Sequence, residues 1–198
     1  MTTFLSNLVT EIIKLLGYPG VFLLMTLESV NIPIPSEVVM PFSGFLALQG
    51  TFNFWAVAAA GTLGNVAGSL MSYYLAEWIL TIRKRYRFLQ LLLSEKHIEK
   101  TNEWFGKYGA YSIFFGRVVP VVRTFISLPA GIGKMNVAKF TSLTFIGSLI
   151  WSVFLTYIGF FLGSNWDVIG TYFRKADYAI AGIAVLVVLY FVFRKKKS

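Results

Sequence analysis

No charged residue interrupts residues 54–76, 140–166 or 178–193, runs of 23, 27 and 16 residues. A helix needs about 20 apolar residues to cross a bilayer, and a few fewer when its flanking residues snorkel to the interface. Each run is therefore expected to be a transmembrane span, the third bounded by Asp177 and Arg194. The composition agrees: 56% of residues are hydrophobic and 14% charged, whereas roughly a quarter of a soluble domain is charged. A soluble globular, disordered or fibrous chain is excluded. The 198 residues contain no cysteine and one histidine, His97, so disulfides, thiol catalysis and cysteine-ligated zinc or iron–sulfur centres are excluded as well. The reading is a single all-α polytopic membrane domain over 1–198 that calls for no cofactor and no metal.

The net charge of +9 is concentrated in two places. Segment 83–107 sets seven basic residues, among them Arg83, Lys84, Arg85 and Arg87, against Glu95, Glu99 and Glu103, and so carries +4. The tail Arg194–Lys197 carries another +4. Each follows a long apolar run, as cytoplasmic flanks of membrane helices do. That placement disfavours nucleic acid as a partner and puts the C-terminus in the cytoplasm. The first span then runs inward and the second outward. The neutral 167–177 loop lies outside, and the third span returns. The N-terminus is placed outside. With no basic residue ahead of Lys14, no cleaved signal is expected.

Two further apolar stretches cannot be simple spans. Residues 19–50 contain Pro19, Pro33, Pro35 and Pro41, with Glu28 and Glu37; residues 108–133 contain Pro120 and Pro129, with Arg117 and Arg123. Proline breaks the backbone ladder of a helix. Broken helices at membrane depth survive only inside protein or along a wet cavity. Each stretch is read as a re-entrant hairpin turning at Pro33 and Pro35 or at Pro120, the first dipping from outside and the second from the cytoplasm.

The two halves also echo each other. Gly17-Tyr18-Pro19-Gly20-Val21 resembles Lys107-Tyr108-Gly109-Ala110-Tyr111, Gly44 matches Gly131, Leu63-Gly64 matches Ile146-Gly147, and Tyr73-Tyr74 matches Thr156-Tyr157. One crossing separates the hairpins. The expected architecture is thus an inverted repeat, repeat one over about 3–81 and repeat two over about 89–166, followed by the 178–193 span. Such repeats place a transport site near the membrane midplane. Segments 3–16 and 89–107 read as amphipathic surface helices, the second carrying a solvated His97. Small residues recur every fourth position at Ala56, Ala60, Gly64, Gly68, Ser72 and Ala76, and again at Thr144, Ser148, Ser152 and Thr156. Internal helix packing is the preferred reading of these stripes, and a homodimer contact the minority one.

Glu28, Glu37, Arg117 and Arg123 are the informative residues. A charge at the bilayer centre costs at least about 2.5–3.5 kcal/mol on insertion scales, so the four must be paired, wet or protonated. Two acids and two bases allow full neutralisation, and a merely structural ion-pair cluster is one reading. The functional reading is a site for an anionic headgroup. Arginine keeps its charge and grips phosphate with a planar fork, and carboxylates inside a membrane serve as proton relays. Arg117 and Arg123 are the candidate phosphate ligands, and Glu28 and Glu37 the candidate proton carriers. Asn65 on the first span is a candidate polar neighbour, with an interhelical hydrogen bond as its default role.

Glu28 with Pro33-Ile34-Pro35-Ser36-Glu37 resembles the first signature of the DedA family, also called SNARE-associated or VTT-domain proteins. Phe115-Gly116-Arg117-Val118-Val119-Pro120-Val121-Val122-Arg123 resembles the second, an F-x-R-x-x-P-x-x-R pattern, and Gly131 and Gly133 after it also fit. Some relatives carry aspartate where Glu37 stands. The resemblance covers about residues 10–165. It implies a multi-pass bacterial cell-membrane protein with two opposed re-entrant hairpins, and lipid translocation dependent on the proton motive force. The short length and lysine tail are most similar to the Gram-positive undecaprenyl phosphate translocases. The expected activity is thus return of undecaprenyl phosphate from the outer to the cytoplasmic leaflet, with protons and membrane lipids as partners. A phosphatidylethanolamine transporter or scramblase is the alternative. A membrane scaffold or a lipid phosphatase ranks lower, the latter because His97 lies outside the hairpins.

Overall fold

The computed structural model describes residues 2–86 and 95–163, and all of its regular structure is helical. The expected span at 178–193 and the loop before it lie outside the described residues. The elements are α1 (Thr2–Leu16), α2 (Tyr18–Ser29), α3 (Ser36–Leu48) and α4 (Phe54–Ile82), a 3₁₀ turn (Arg83–Arg85), then α5 (Glu95–Val118), α6 (Pro120–Phe125), α7 (Ser127–Ile132) and α8 (Val137–Leu162).

Local chemistry sets the breaks. Gly17 adopts φ 66°, a left-handed conformation open to glycine without penalty, and ends α1 one residue before α2. After α2 the chain turns through Asn31 at φ 70°. It then runs without regular structure through Ile32-Pro33-Ile34-Pro35, where each isoleucine precedes a proline and is driven out of the helical region. Pro35 is extended at ψ 108°, and α3 begins behind it. The second break is one residue wide: Val119, extended at ψ 118°, joins α5 to Pro120 at the start of α6. Pro33, Pro35 and Pro120 therefore do interrupt helices. The expected second surface helix differs, because α5 runs through Lys107 to Val118 without a break. Its second-copy counterparts of Gly17 and Pro19 are Lys107 and Gly109, which lack both the left-handed glycine and the proline ring.

The first two expected spans are α4 and α8, of 29 and 26 residues. Both are apolar and long enough to cross a membrane. Each starts behind an asparagine whose side-chain oxygen accepts from the exposed amides of the first turn, Asn53 from Trp55 and Ala56 at 3.0 and 3.1 Å and Asn136 from Lys139 at 3.1 Å. On α8, Ile146, Ile150, Phe154, Tyr157 and Phe161 are exposed while Thr144, Ser148, Ser152 and Thr156 are buried. On α4, Leu63, Met71, Tyr74 and Trp78 are exposed while Thr62, Asn65, Ser69 and Ser72 are buried. Polar residues inside and large apolar ones outside suit a protein solvated by hydrocarbon.

The small-residue stripes are consumed by the chain itself. Gly64 and Gly68 of α4 lie against the Phe22 and Thr26 carbonyls of α2, and Gly147 of α8 lies against the Arg117 side chain of α5. The second arms cross over. Gly44 of α3 abuts the Thr156 carbonyl of α8, and Gly131 of α7 abuts the Tyr73 carbonyl of α4, neither leaving room for a Cβ. Gly44 and Gly131, like Thr156 and Tyr73, are the pairs matched in the two halves of the sequence. Around the second crossing Tyr73, Phe105, Ile113, Ala130, Met135 and Phe140 form a buried cluster. Within it the Tyr73 hydroxyl donates to the Met135 carbonyl at 2.6 Å.

Gly131→Val places two methyls where backbone already stands, so the overpacking should lower stability by about 1–3 kcal/mol. At Gly106, in α5, an added Cβ meets nothing within 4 Å, and Gly106→Ala should raise stability by about 0.4–1 kcal/mol. Thermal unfolding of the purified protein in detergent should move down for the first and up for the second.

Candidate functional site

Three of the four charged residues are buried and adjacent to helix breaks. Glu28 and Arg117 are the penultimate residues of α2 and α5, and Arg123 lies in α6, with relative exposures of 5%, 3% and 4%. Arg117 at a helix C-terminus faces the negative end of the helix dipole, a favourable position; Glu28 at the same end of α2 is unfavourable and needs a cation. That cation is Arg123, whose Nη2 donates to Glu28 Oε1 and to Ser36 Oγ, the first residue of α3. One guanidinium therefore ties α6 to both sides of the α2–α3 break.

Arg117 makes no ion pair with a described residue. Its Nη1 donates to the Arg123 carbonyl at 3.0 Å, and its Nη2 to Ser127 Oγ at 2.8 Å and Thr144 Oγ1 at 3.3 Å. It holds the backbone that presents Arg123. Both guanidinium groups lie near aromatic rings, Arg117 at 5.8 Å from the Phe140 centroid and Arg123 at 5.1 Å from that of Trp151, in the range of cation–π attraction.

The two acids and two bases, whose signs allow full neutralisation, do not all pair among the described residues. Glu37 is half-buried in the first turn of α3 and makes no ion pair with a described residue. A helix N-terminus favours a carboxylate there without a counter-ion. The buried set is thus Glu28, Arg117 and Arg123, with a formal charge of +1. Asn65 joins it: Ser29 Oγ donates to Asn65 Oδ1 at 2.7 Å, and Ser72 Oγ donates to the Ser29 carbonyl at 2.9 Å. Glu28, Ser29, Asn65, Arg117, Arg123 and Trp151 line a narrow cleft, which Thr124 and Ser148 complete. Both members of the Arg123–Glu28 pair line this cleft, which is too narrow as it stands to hold a water-sized sphere.

Sequence reasoning missed Ser29, Ser36, Ser127 and Trp151 as members, and took Thr144 and Ser148 for packing. Their one signal was position: Ser29 and Ser36 flank the first break, and Trp151 lies three residues after Ser148. The arrangement can do one thing well, which is to accept an anion. A buried +1 site with arginine donors binds negative oxygen strongly where the local dielectric is low.

The VTT domain matches residues 34–161, from the break before α3 to the end of α8. Undecaprenyl phosphate transporter A of Bacillus subtilis is 35% identical over 206 residues, covering 98% of each chain. The protein of the same name from Staphylococcus aureus is 29% identical over 195 residues, covering 96% of each. A Lactococcus lactis protein named alkaline phosphatase-like is 33% identical over 192 residues, covering 94% of this chain and 88% of its own. No solved structure matches. With its helix breaks, its arginine pair and a domain match across most of its length, the chain belongs to the VTT-domain family, the DedA family of membrane proteins.

Proposed function

We propose that this protein carries undecaprenyl phosphate from the outer to the cytoplasmic leaflet of the bacterial cell membrane, gripping the phosphate with Arg117 and Arg123 and taking up a proton at Glu28. The observation that carries this reading is the buried charge excess: among the described residues, Arg117 has only neutral hydrogen-bond partners. A phosphate monoester bears between about −1.5 and −2 at neutral pH. When it takes Arg123 from Glu28, charge balance requires a proton on the freed carboxylate, and two arginines then match one dianion. Glu37, half-buried and next to Ser36 in the first turn of α3, is the candidate for passing that proton on. The relatives named for undecaprenyl phosphate transport support the lipid.

The crossed glycine contacts support an inverted repeat, with α2–α3 and the segment from α5 to α7 as two opposed re-entrant hairpins. Alternating access would then rock one repeat on the other about the arginines. Charge placement orients the whole, with Arg83–Arg85 at the end of α4 inside and the N-terminus outside.

A phosphatidylethanolamine transporter is the second reading, favoured by Glu28 Oε2, which has no donor among the described residues and would meet an ammonium group. A phosphatase is disfavoured: Ser36 Oγ already accepts from Arg123, and the neighbouring Glu28 carboxylate is engaged by the same guanidinium. Hydrolysis wants an activated nucleophile.

Three measurements test this. Cysteines at Ser6 and Thr51 should react with an impermeant reagent in intact cells, and one at Tyr86 should not. Labelling of Ser6 and Thr51 from opposite sides would mean that α2–α3 spans the membrane. Arg117→Lys keeps the charge and loses the fork. Its transport of undecaprenyl phosphate in proteoliposomes should fall at least about tenfold, the loss expected for one charged hydrogen bond, with insertion unchanged. Full transport by the lysine variant would mean that charge alone suffices. Finally, since binding takes up a proton, linkage requires affinity to rise as pH falls. The phosphate itself titrates near pH 6, so the decisive comparison is with Glu28→Gln, which should bind at high pH, lose the protein's share of the pH dependence and fail to turn over.

A further inference from the structure

The cleft has more hydrogen-bond donors than the described residues satisfy. Asn65 is 3% exposed. Ser29 Oγ donates to its Oδ1 at 2.7 Å and thereby orients the amide, leaving Nδ2 without an acceptor among the described residues. The indole Nε1 of Trp151 is buried and equally unmatched, although the same ring lies against the Arg123 guanidinium. The Nε atoms of Arg117 and Arg123 are unmatched too, whereas the one unmatched acceptor among the cleft-lining side chains is Glu28 Oε2. A buried N–H with no acceptor costs roughly 1–3 kcal/mol, and native proteins rarely leave several together. Two of these donors are neutral and come from different spans, Asn65 from α4 and Trp151 from α8. A group with several acceptor oxygens, entering the cleft that both residues line, would give these donors partners.

We infer that Asn65 and Trp151 are headgroup-selecting residues that donate to the terminal oxygens of a lipid phosphate monoester, and that they set its preference over phosphodiester lipids. The inference rests on the polyprenyl phosphate reading above and adds the basis of selection. A monoester presents three terminal oxygens and a diester two. Two forked arginines satisfy two oxygens. The third is what a further pair of neutral donors from the spans can hold, and in a diester that position is an ester oxygen with a second substituent to accommodate. Trp151 also ties recognition to the charge switch: when Arg123 swings from Glu28 to the phosphate, it moves across the face of the ring whose N–H meets the same group.

The test uses the full chain in nanodiscs and compares undecaprenyl phosphate, phosphatidylglycerol and inorganic phosphate as ligands. Trp151→Phe keeps the aromatic face and removes the N–H; Asn65→Ser keeps a partner for Ser29 and removes Nδ2. Each should weaken undecaprenyl phosphate about tenfold or more, as for a hydrogen bond to a charged group. Phosphatidylglycerol binding should change by less than about twofold, within the spread of ordinary surface-level effects, so the monoester-to-diester ratio falls. Thermal midpoints of the unliganded variants should not fall, since each substitution removes an unmatched buried donor. Equal weakening of both lipids, or no weakening of either, overturns the inference while leaving the arginine site intact. Inorganic phosphate should fail to displace the lipid; displacement in the lipid's own concentration range overturns its assignment as a headgroup site. If the wild-type protein binds neither lipid, the transport reading falls and this one with it.

Discussion

The contact of Arg123 with Glu28 and Ser36 is the constraint on which the rest of the structure depends. It joins α6 to both sides of the α2–α3 break, and so links the two halves of the chain at the place where each lacks backbone hydrogen bonds. A buried ion pair is a poor source of net stability, because desolvation consumes most of the Coulombic gain. Breaking one and leaving a partner uncompensated is far more costly. Such a contact holds two elements in register. Arg117 supports it from behind, bonded to the Arg123 carbonyl and to hydroxyls of α7 and α8.

The scaffold that presents this contact follows from a solvent without hydrogen bonds. Hydrocarbon gives helices no hydrophobic reason to associate, so close backbone approach must supply the attraction. Gly44 on Thr156 and Gly131 on Tyr73 are such approaches, and each lets a broken arm lean on the other half's span. The buried faces can then be polar, and serine, threonine and asparagine on α4 and α8 turn inward toward the charges. The same inversion makes the outward faces rich in tryptophan, phenylalanine and isoleucine.

The helix breaks were legible from residues alone. The Ile-Pro-Ile-Pro run and the Val-Val-Pro triplet each exclude helical backbone for local steric reasons, and both interruptions lie where those prolines stand. The two long spans were legible for the same kind of reason, since an uncharged run of more than 20 residues has few other uses. Continuity of α5 through Lys107 was missed because the internal echo suggested a break there, while the residues needed to make one, a left-handed glycine and a proline, occur only in the first copy. An echo of apolar sequence carries position but not backbone conformation.

The sequence by itself determined that this is a helical membrane chain, that two of its helical stretches must be interrupted, and that Glu28, Arg117 and Arg123 sit at those interruptions. Membrane cost and proline sterics act on a residue and its near neighbours, so they can be read without coordinates. Only the tertiary structure decided which charges meet. Arg123 pairs with Glu28, 95 positions away in sequence, Glu37 is left at a helix N-terminus, and the Nη atoms of Arg117 donate to neutral oxygens. It also decided that Asn65 and Trp151 face one cleft with unmatched donors. Pairing across that distance depends on how α4 and α8 are crossed by the broken arms, and that crossing is set by backbone approach at a few glycines.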